Sequence, residues 1–321
     1  MKSPAVLFVY NRPVHTARTL HALAACSGAT ETELFIFCDA AKSKKDEKNV
    51  RAAQNAARGA RGFKRVNLTI QDKNYGLADS IINGISEVIT RTGQIIVLED
   101  DMLCAQGFLL WMNAALDHYR NNPHVLSVSS WRPECSIPDD YQFSSILFPV
   151  RSSSWGWGTW DHVWKTVDWG MKDFGSFLKS KERIQQFSNA GPDMLYMLMR
   201  QYRGDINSWS IRFDYHHARL NGYCAYSAEN FITNIGLDGS GVHCKKTKIS
   251  KKMKIVYDQS AENPSAPHEK PFQDTPDRVS EHLLRHAFYK KAGFFMKRMT
   301  RQAAGFYLRK TTRPKSIVSH S

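Results

Sequence analysis

The sequence predicts an α/β protein built on an open, mostly parallel sheet with helices on its faces. Over the first 130 residues, short apolar runs alternate with longer segments whose apolar residues recur at helical spacing. Polar residues gather where the apolar runs end, as they do at the carboxyl edge of a sheet that binds its ligand there. The 321 residues are 42% hydrophobic and 23% charged, which is typical of a globular chain with a large core and excludes collagen-like and wholly disordered classes.

The elements of this first half follow in order from their patterns. Ala5–Tyr10 is apolar and predicts a first strand that stops at Asn11-Arg12-Pro13. Further strands are expected at 34–38, 65–70, 94–98 and 124–129, and helices at 15–25, 45–61, 77–89 and 108–119. Residues 94–98 are rich in β-branched side chains, as in strands buried at the centre of a parallel sheet. We interpret residues 1–130 as a ligand-binding α/β half.

The sequence becomes aromatic-rich and less regular after residue 130. Helices are expected at 174–187, 193–203 and 208–220. We interpret residues 131–257 as the acceptor-facing and catalytic half of the same domain, and the proline-containing stretch 258–277 as a linker. Residues 278–310 place apolar side chains at steps of three and four with basic ones on other faces, which predicts a basic amphipathic helix. Residues 311–321 are expected to be a disordered tail.

The charge distribution, the hydropathy and the cysteine spacing limit the classes of protein to which this chain can belong. Of the net charge of +14, residues 245–321 carry +12 and residues 1–244 only +2, so the basic character belongs to the tail. No apolar run reaches the ~18–20 residues that span a bilayer, and the sequence predicts neither a membrane anchor nor a secretory signal. The six cysteines show no CxxC spacing, so zinc and disulfide frameworks lack support and a cytoplasmic location is expected.

The strongest chemical signal is the run of three acidic residues, Glu99-Asp100-Asp101, at the end of a buried strand. Adjacent carboxylates repel one another unless solvent or a cation compensates. A divalent ion, Mg²⁺ or Mn²⁺, held by one or two carboxylates and by substrate phosphates would compensate them. The alternative is a solvated acidic turn that caps the next helix.

Missing motifs narrow the choice of ligand. The first strand is followed by Asn11-Arg12-Pro13, with no GxGxxG dinucleotide fingerprint, and no GxxxxGK[ST] phosphate loop occurs in the chain. Polar residues at the ends of the first two strands, Asn11, Arg12 and Asp39, instead suit a nucleoside diphosphate that a metal bridges to the protein.

With these motifs, the chain resembles GT-A-fold glycosyltransferases over roughly residues 5–244. The Glu-Asp-Asp triplet resembles the DxD motif of the N-acetylglucosaminyltransferase I family and its bacterial relatives, and Asn74-Tyr75-Gly76-Leu77-Ala78 resembles a segment near the nucleotide in family 2 glycosyltransferases. The resemblance implies that Asp101 binds the metal, that Glu99 and Asp100 meet ribose or sugar hydroxyls, and that Asn11, Arg12, Asp39 and Asn74 lie at the nucleotide.

A second matching block is Ser154-Trp155-Gly156-Trp157-Gly158-Thr159-Trp160. Glycines between large rings let the backbone approach a ligand while an indole offers a stacking face to a sugar. Related transferases carry a similar Trp-Gly-Trp stretch in the donor and acceptor pocket, which selects Trp155 and Trp157 as ligand contacts. The alternative is an aromatic core cluster.

An inverting transferase needs a carboxylate base for the acceptor hydroxyl. The candidates are Asp161, Asp193, Asp205 and Asp214, and the resemblance favours Asp205 because it follows the Trp-Gly block and precedes Trp209. Helix capping is the alternative role for each aspartate.

Two later features complete the expectations. His243 ends the glycine-rich stretch 234–243 and is expected to bind the metal or the diphosphate. The basic amphipathic helix is expected to lie on an anionic membrane surface, with docking on the protein's own body as an alternative; no nucleic-acid recognition module is visible.

Together these features predict a metal-dependent glycosyltransferase. It would use Mn²⁺ or Mg²⁺ and a nucleotide-diphosphate-sugar, with a UDP-sugar as the first choice, and would act on a glycan or lipid-linked acceptor in bacterial cell-surface polysaccharide or lipopolysaccharide synthesis. It is expected in the cytoplasm, peripheral to the inner face of the membrane. A sugar-phosphate nucleotidyltransferase and a non-catalytic glycan- or membrane-binding module are the alternatives.

Overall fold

The computed structural model describes residues 2–133 and 146–238, together with Phe272 and Asp274. Its strands are β1 (Ala5–Val9), β2 (Glu33–Cys38), β3 (Arg65–Ile70), β4 (Gln94–Glu99), β5 (Met102–Cys104), β6 (Val125–Ser129), β7 (Ile146–Leu147), β8 (Trp157–Trp160), β9 (Tyr223–Ser227) and β10 (Ile232–Asn234). Its helices are α1 (Pro13–Ala24), α2 (Glu47–Arg58), α3 (Leu77–Thr92), α4 (Phe108–Tyr119), α5 (Asp161–Trp164), α6 (Phe174–Phe177), α7 (Lys181–Ser188), α8 (Met194–Tyr202) and α9 (Trp209–Arg219).

Within the described ranges, eight strands form one sheet in the order β3-β2-β1-β4-β8-β6-β9-β7. Strands β1 to β4 are parallel, β8 runs antiparallel to both β4 and β6, β9 is parallel to β6, and β7 is antiparallel to β9. The predicted α/β class with a mostly parallel sheet is therefore confirmed. Strands β5 and β10 pair antiparallel outside this sheet, and β10 thereby lies beside the chain that follows β4.

Helices cover both faces of the sheet. In β8, Trp157 packs against Trp209 and Phe213 of α9, whereas a Cβ on the next residue, Gly158, would lie 3.2 Å from Leu116 in α4. Neighbouring residues of a strand face opposite ways, so α9 and α4 lie on opposite faces. The core between them is continuous and strongly aromatic.

The helix boundaries follow from local chemistry. Pro13 starts α1, where its missing N–H costs nothing, and Gly93 ends α3 in the left-handed conformation with φ +77°. Ser208 caps α9 by accepting a hydrogen bond from the amide of Ile211. The single helix expected at 174–187 is wrong, because Ser180 is an extended N-cap that separates α6 from α7.

Two observations concern the C-terminal predictions. No helix in the described part of the chain is long and apolar enough to cross a bilayer. Of the predicted linker 258–277, only Phe272 and Asp274 are described: the Phe272 ring packs against Trp111 and His118 of α4, and Asp274 pairs with His118 at 2.7 Å. The predicted basic helix, the tail and the rest of the linker lie outside the described residues.

Candidate active site at the carboxyl edge of the sheet

The predicted polar residues meet at the carboxyl edge of the parallel strands. Strand β1 lies between β2 and β4, in a register that aligns Val9 with Cys38 and Phe8 with Glu99. The segments that follow these three strands therefore start side by side, and they carry Arg12, Asp39 and the acidic triplet. Parallel pairing thus brings together residues that are about 90 positions apart in the chain.

Arg12 is the counter-charge of the triplet. Its Nη1 donates to Asp101 Oδ2 at 2.8 Å and its Nη2 donates to Asp100 Oδ1. Burial works to lower the pKa of Arg12, but the Asp100 and Asp101 carboxylates outweigh burial and raise it. Asp100 Oδ2 accepts a further hydrogen bond from the amide of Tyr10 at 3.3 Å, so both Asp100 oxygens are occupied.

Asp101 keeps one oxygen without a donor. The residue is 7% exposed, and its Oδ1 is buried with no hydrogen-bond partner in the part of the chain that the structure describes. A buried carboxylate oxygen without a donor is costly. Since Arg12 takes only Oδ2, the other oxygen is a position at which a cation can bind.

The chain after β10 covers the triplet from one side. The amide of Ile235 donates to the Asp101 carbonyl at 2.9 Å, and Gly236 comes so close that a Cβ there would lie 2.0 Å from Asp101 Oδ2. Asp238 then pairs with His15 of α1 at 3.1 Å. Glycine at 236 is therefore required for this contact, a role that sequence patterns did not indicate.

Burial favours the protonated form of two carboxyl groups of the triplet. Burial raises the pKa of Glu99 to about 8, with the Asp101 and Asp100 charges adding to the effect, so Glu99 is mostly protonated at pH 7. Burial also raises the pKa of Asp100, which Arg12 opposes. Among the described residues, Asp100 and Asp101 share one cation, Arg12.

The described side chains offer a divalent ion few ligands. Among the described residues no group of three or more His, Cys, Asp or Glu side chains could hold a metal, and His243 lies outside them. Asp101 Oδ1 offers one protein oxygen, which suffices for Mg²⁺ or Mn²⁺ when substrate phosphates and water supply the other ligands.

Asp39 and Asn74 shape the adjoining loop. Asp39 Oδ1 accepts from the amide of Tyr75 and Oδ2 from the amide of Gly76, both at 2.9 Å, while Asn74 Nδ2 donates to the Ala40 carbonyl at 2.7 Å. These bonds join the ends of β2 and β3 and fix the start of α3. Asn11, also predicted at the nucleotide, donates to Asp46 Oδ1 at 3.2 Å.

The two tryptophans selected from the sequence have different surroundings. Trp155 is half-buried at the same edge, with its ring 4.4 Å from that of Trp131. Trp157 is 1% exposed and stacks on Trp209 at 4.8 Å. The prediction that Trp157 contacts ligand is therefore wrong for this structure: β8 runs through the centre of the sheet, and Trp157 belongs to the aromatic core.

The four candidate bases are separated by the fold. Asp161 follows β8, and its amide donates to the Gly93 carbonyl just before the amino end of β4, about 20 Å along the strand from Glu99. Its assignment as a base at this site is wrong because β8 is antiparallel to β4. Asp193 binds Arg151 through both oxygens, at 2.9 and 3.0 Å, and Asp214 is buried against Ser152; both are structural acceptors rather than free bases.

Asp205 is the remaining candidate. It is exposed in the segment between α8 and α9, and its side chain makes no hydrogen bond with the residues that the structure describes. Two positions on, Asn207 Nδ2 donates to Asp79 Oδ1 at 3.3 Å. Asp79 lies in the first turn of α3, so the segment that carries Asp205 contacts the helix that starts beside Asp39.

Comparisons with known proteins were made on this basis. No family model matches the chain, and no curated sequence matches it. Three similar solved structures are S. aureus TarS 1–349 (TM-score 0.42, 11% identity, 72% of this chain and 60% of that chain), a putative glucose-1-phosphate thymidylyltransferase from Bacillus anthracis (0.39, 9%, 82% and 97%) and a UDP-glucose pyrophosphorylase (0.35, 10%, 81% and 100%). The chain thus spans less than two thirds of the TarS fragment.

Proposed function

We propose that the protein is a glycosyltransferase of the GT-A type that transfers a sugar from a nucleotide-diphosphate-sugar to a glycan hydroxyl. One observation carries the proposal: an acidic cluster at the carboxyl edge retains a buried carboxylate oxygen, Asp101 Oδ1, that has no donor among the described residues. A nucleoside diphosphate is itself an anion, and the carboxylates of the triplet would repel it. Asp101 would hold a divalent ion, whose positive charge would offset both costs.

In this proposal Asp101 would hold the metal, Mn²⁺ or Mg²⁺, which would supply positive charge to the diphosphate leaving group. The side chains of this protein position the site and accept the proton. Arg12 holds Asp100 and Asp101 in place, and Asp39 fixes the loop of Asn74 and Tyr75 on which the nucleoside would lie. Asp205, whose carboxylate makes no hydrogen bond with the described residues, takes the proton of the acceptor hydroxyl if the reaction inverts.

A sugar-phosphate nucleotidyltransferase is the second candidate. Those enzymes normally place a glycine-rich phosphate loop after the first strand. Here Arg12 follows that strand and is already bound to two carboxylates, which favours transfer from a finished nucleotide sugar.

One experiment distinguishes the two candidates. UDP-, GDP-, TDP- and CMP-linked sugars are incubated with the protein and Mn²⁺, and release of free nucleotide is measured. In parallel, each nucleoside triphosphate is offered with a sugar 1-phosphate, and pyrophosphate is measured. We expect nucleotide release from one donor, UDP-linked first, and its loss in Asp101→Asn; pyrophosphate without nucleotide release would instead identify a nucleotidyltransferase.

The C-terminal segment supports a membrane-surface location in this proposal. Residues 278–310 contain nine Lys or Arg and one acidic residue, and each basic residue near an anionic surface contributes about 1 kcal/mol. We expect the full chain to co-sediment with phosphatidylserine vesicles and not with phosphatidylcholine vesicles. Equal binding to both would contradict an electrostatic attachment.

A further inference from the structure

Arg212 of α9 is the one buried Lys or Arg among the described residues, at 9% exposure. Two half-buried arginines have carboxylate partners: Arg12 pairs with two aspartates and Arg151 with Asp193. Arg212 has no Asp or Glu oxygen within 4.0 Å in the described ranges. Its charge is therefore shielded from water without a counter-ion in contact.

All hydrogen-bond acceptors of Arg212 in the described part of the chain are neutral. Nε donates to the Ser208 carbonyl at 3.1 Å, Nη1 to the Trp169 carbonyl at 3.2 Å and Nη2 to Asn207 Oδ1 at 2.8 Å. The guanidinium also lies over the Trp169 ring, 5.6 Å from its centre. These bonds use three of the five N–H groups, so two remain for a ligand.

The energetics favour an anion at this place. Burial lowers the pKa of Arg212, and the nearby Asp79 charge only partly opposes the effect. A shielded cation costs free energy that an oxyanion would recover, and a guanidinium matches the two oxygens of a carboxylate or phosphate. Asp79 is exposed and contacts the cluster through Asn207, so solvent screens its repulsion of such a ligand.

The cluster adjoins the proposed donor site. Asn207 bonds to Asp79 in the first turn of α3, and that helix begins after Gly76, which donates to Asp39. Trp169 is half-buried and Asn207 is exposed, so an apolar ring and an amide lie beside the buried guanidinium. Asp205, the proposed base, precedes Asn207 by two residues.

We propose that Arg212, with Asn207 and Trp169, binds an anionic group of the acceptor saccharide, a carboxylate or a phosphate, and so selects an acidic acceptor. This inference rests on the proposed function, because only a glycosyltransferase would bind the anion as part of an acceptor. The guanidinium pairs with two oxygens of the anion, the Asn207 amide meets a neighbouring hydroxyl, and the exposed part of Trp169 packs against the sugar ring.

The test uses the full chain and three probes: glucuronate, glucose 1-phosphate and neutral glucose, with dissociation constants from ligand-observed NMR. We expect at least one anion to bind the wild type roughly tenfold or more tightly than glucose does, since a hydrogen-bonded charge pair accounts for about that factor. Whether glucuronate or glucose 1-phosphate binds more tightly identifies the anion as carboxylate or phosphate. Equal binding of all three probes would overturn the proposal.

The matched variants are Arg212→Gln and Arg200→Gln. Arg200 also lies over an aromatic ring, that of Tyr196 at 5.7 Å, but on α8. Arg212→Gln is expected to abolish the preference for anions and Arg200→Gln to keep it, with thermal melting as the control for folding. An Arg212→Gln variant that keeps the wild-type preference overturns the proposal.

Arg212→Lys covers the case in which Arg212→Gln does not fold. It retains the charge but not the paired N–H groups, so a severalfold loss of the preference is expected, and an unchanged preference would overturn the paired geometry. Binding of UDP with Mn²⁺ should be the same in wild type and Arg212→Lys. If the wild type binds the anions but not the nucleotide, the proposed donor site is refuted and the anion site of Arg212 is not.

Discussion

The ion pairs of Arg12 yield the sharpest stability prediction. Arg12→Met leaves two buried aspartates without their cation: Asp100 is 2% and Asp101 7% exposed. Removing one partner of a buried pair costs about 3–5 kcal/mol. The Arg12 side chain retains 17% of its surface, so water already shares part of the interaction, and we expect a loss of about 3 kcal/mol in the free energy of unfolding at pH 7.5.

The loss should shrink in acid. Arg12 opposes the burial that raises the pKa of Asp100, so removing Arg12 raises this pKa further, and the folded variant binds the proton more tightly than the unfolded chain does. Stability of the variant relative to wild type therefore falls as pH rises above the unfolded pKa, and by linkage the gap at pH 5 should be at least about 1 kcal/mol smaller than at pH 7.5.

Urea unfolding at the two pH values measures both quantities. Arg91→Met is the control, because Arg91 and Glu87 form an exposed pair with side-chain exposures of 59% and 56%, and its loss should stay within about 0.5 kcal/mol. The double variant with Asp100→Asn should recover at least about 1 kcal/mol of the loss. An Arg12→Met loss below about 1 kcal/mol, or one equal at both pH values, would refute the argument.

Three further predictions concern the same edge of the sheet. Gly236→Ala places a Cβ 2.0 Å from a carboxylate oxygen and should cost about 1–3 kcal/mol, whereas Gly175→Ala, with nothing within 4 Å of its Cβ, should be neutral in the same thermal melt. The pKa of Glu99 is raised from its ordinary value to about 8, so its contribution to stability is present below the unfolded pKa and is lost as pH rises to about 8, by up to about 1.4 kcal/mol per pH unit. Glu99→Gln should flatten this dependence of the unfolding free energy on pH. An unchanged dependence would disprove the raised pKa of Glu99. Asp205→Asn should lower turnover of the correct donor and acceptor by roughly 10²–10⁴ while Asp161→Asn leaves it unchanged, and the reverse order would exclude Asp205 as the base.

Periodicity predicted the first half of the fold because its strands are parallel and its helices amphipathic. Strand β3 and helix α4 have the expected bounds, and β1, β2, β4 and β6 differ by one residue at one or both ends. The acidic triplet could be placed at the carboxyl edge because it follows a strand directly, and all parallel strands of a sheet end at that edge in any strand order. The metal, the acceptor and the membrane contact stay predictions.

The features that the sequence did not predict depend on strand direction, on contacts between distant residues and on very short strands. Trp157 and Asp161 were misplaced because no pattern in the neighbouring sequence indicates that β8 is antiparallel to β4. This pairing buries Trp157 and places Asp161 at the opposite edge of the sheet. Arg12 was assigned to the nucleotide, yet its partners lie 88 and 89 residues away. Strands β5 and β10 have three residues each, too few for a period to be visible.

In the proposed donor site, Asp101 binds a cation that a nucleoside diphosphate shares. Calorimetric titration of UDP into the full-length protein, with and without Mn²⁺, tests it directly on wild type, Asp101→Asn and the control Glu87→Gln, whose carboxylate is exposed on α3. We predict binding that requires Mn²⁺, is lost in Asp101→Asn and is retained in Glu87→Gln. UDP binding of equal affinity in Asp101→Asn, or without metal, would contradict the claim.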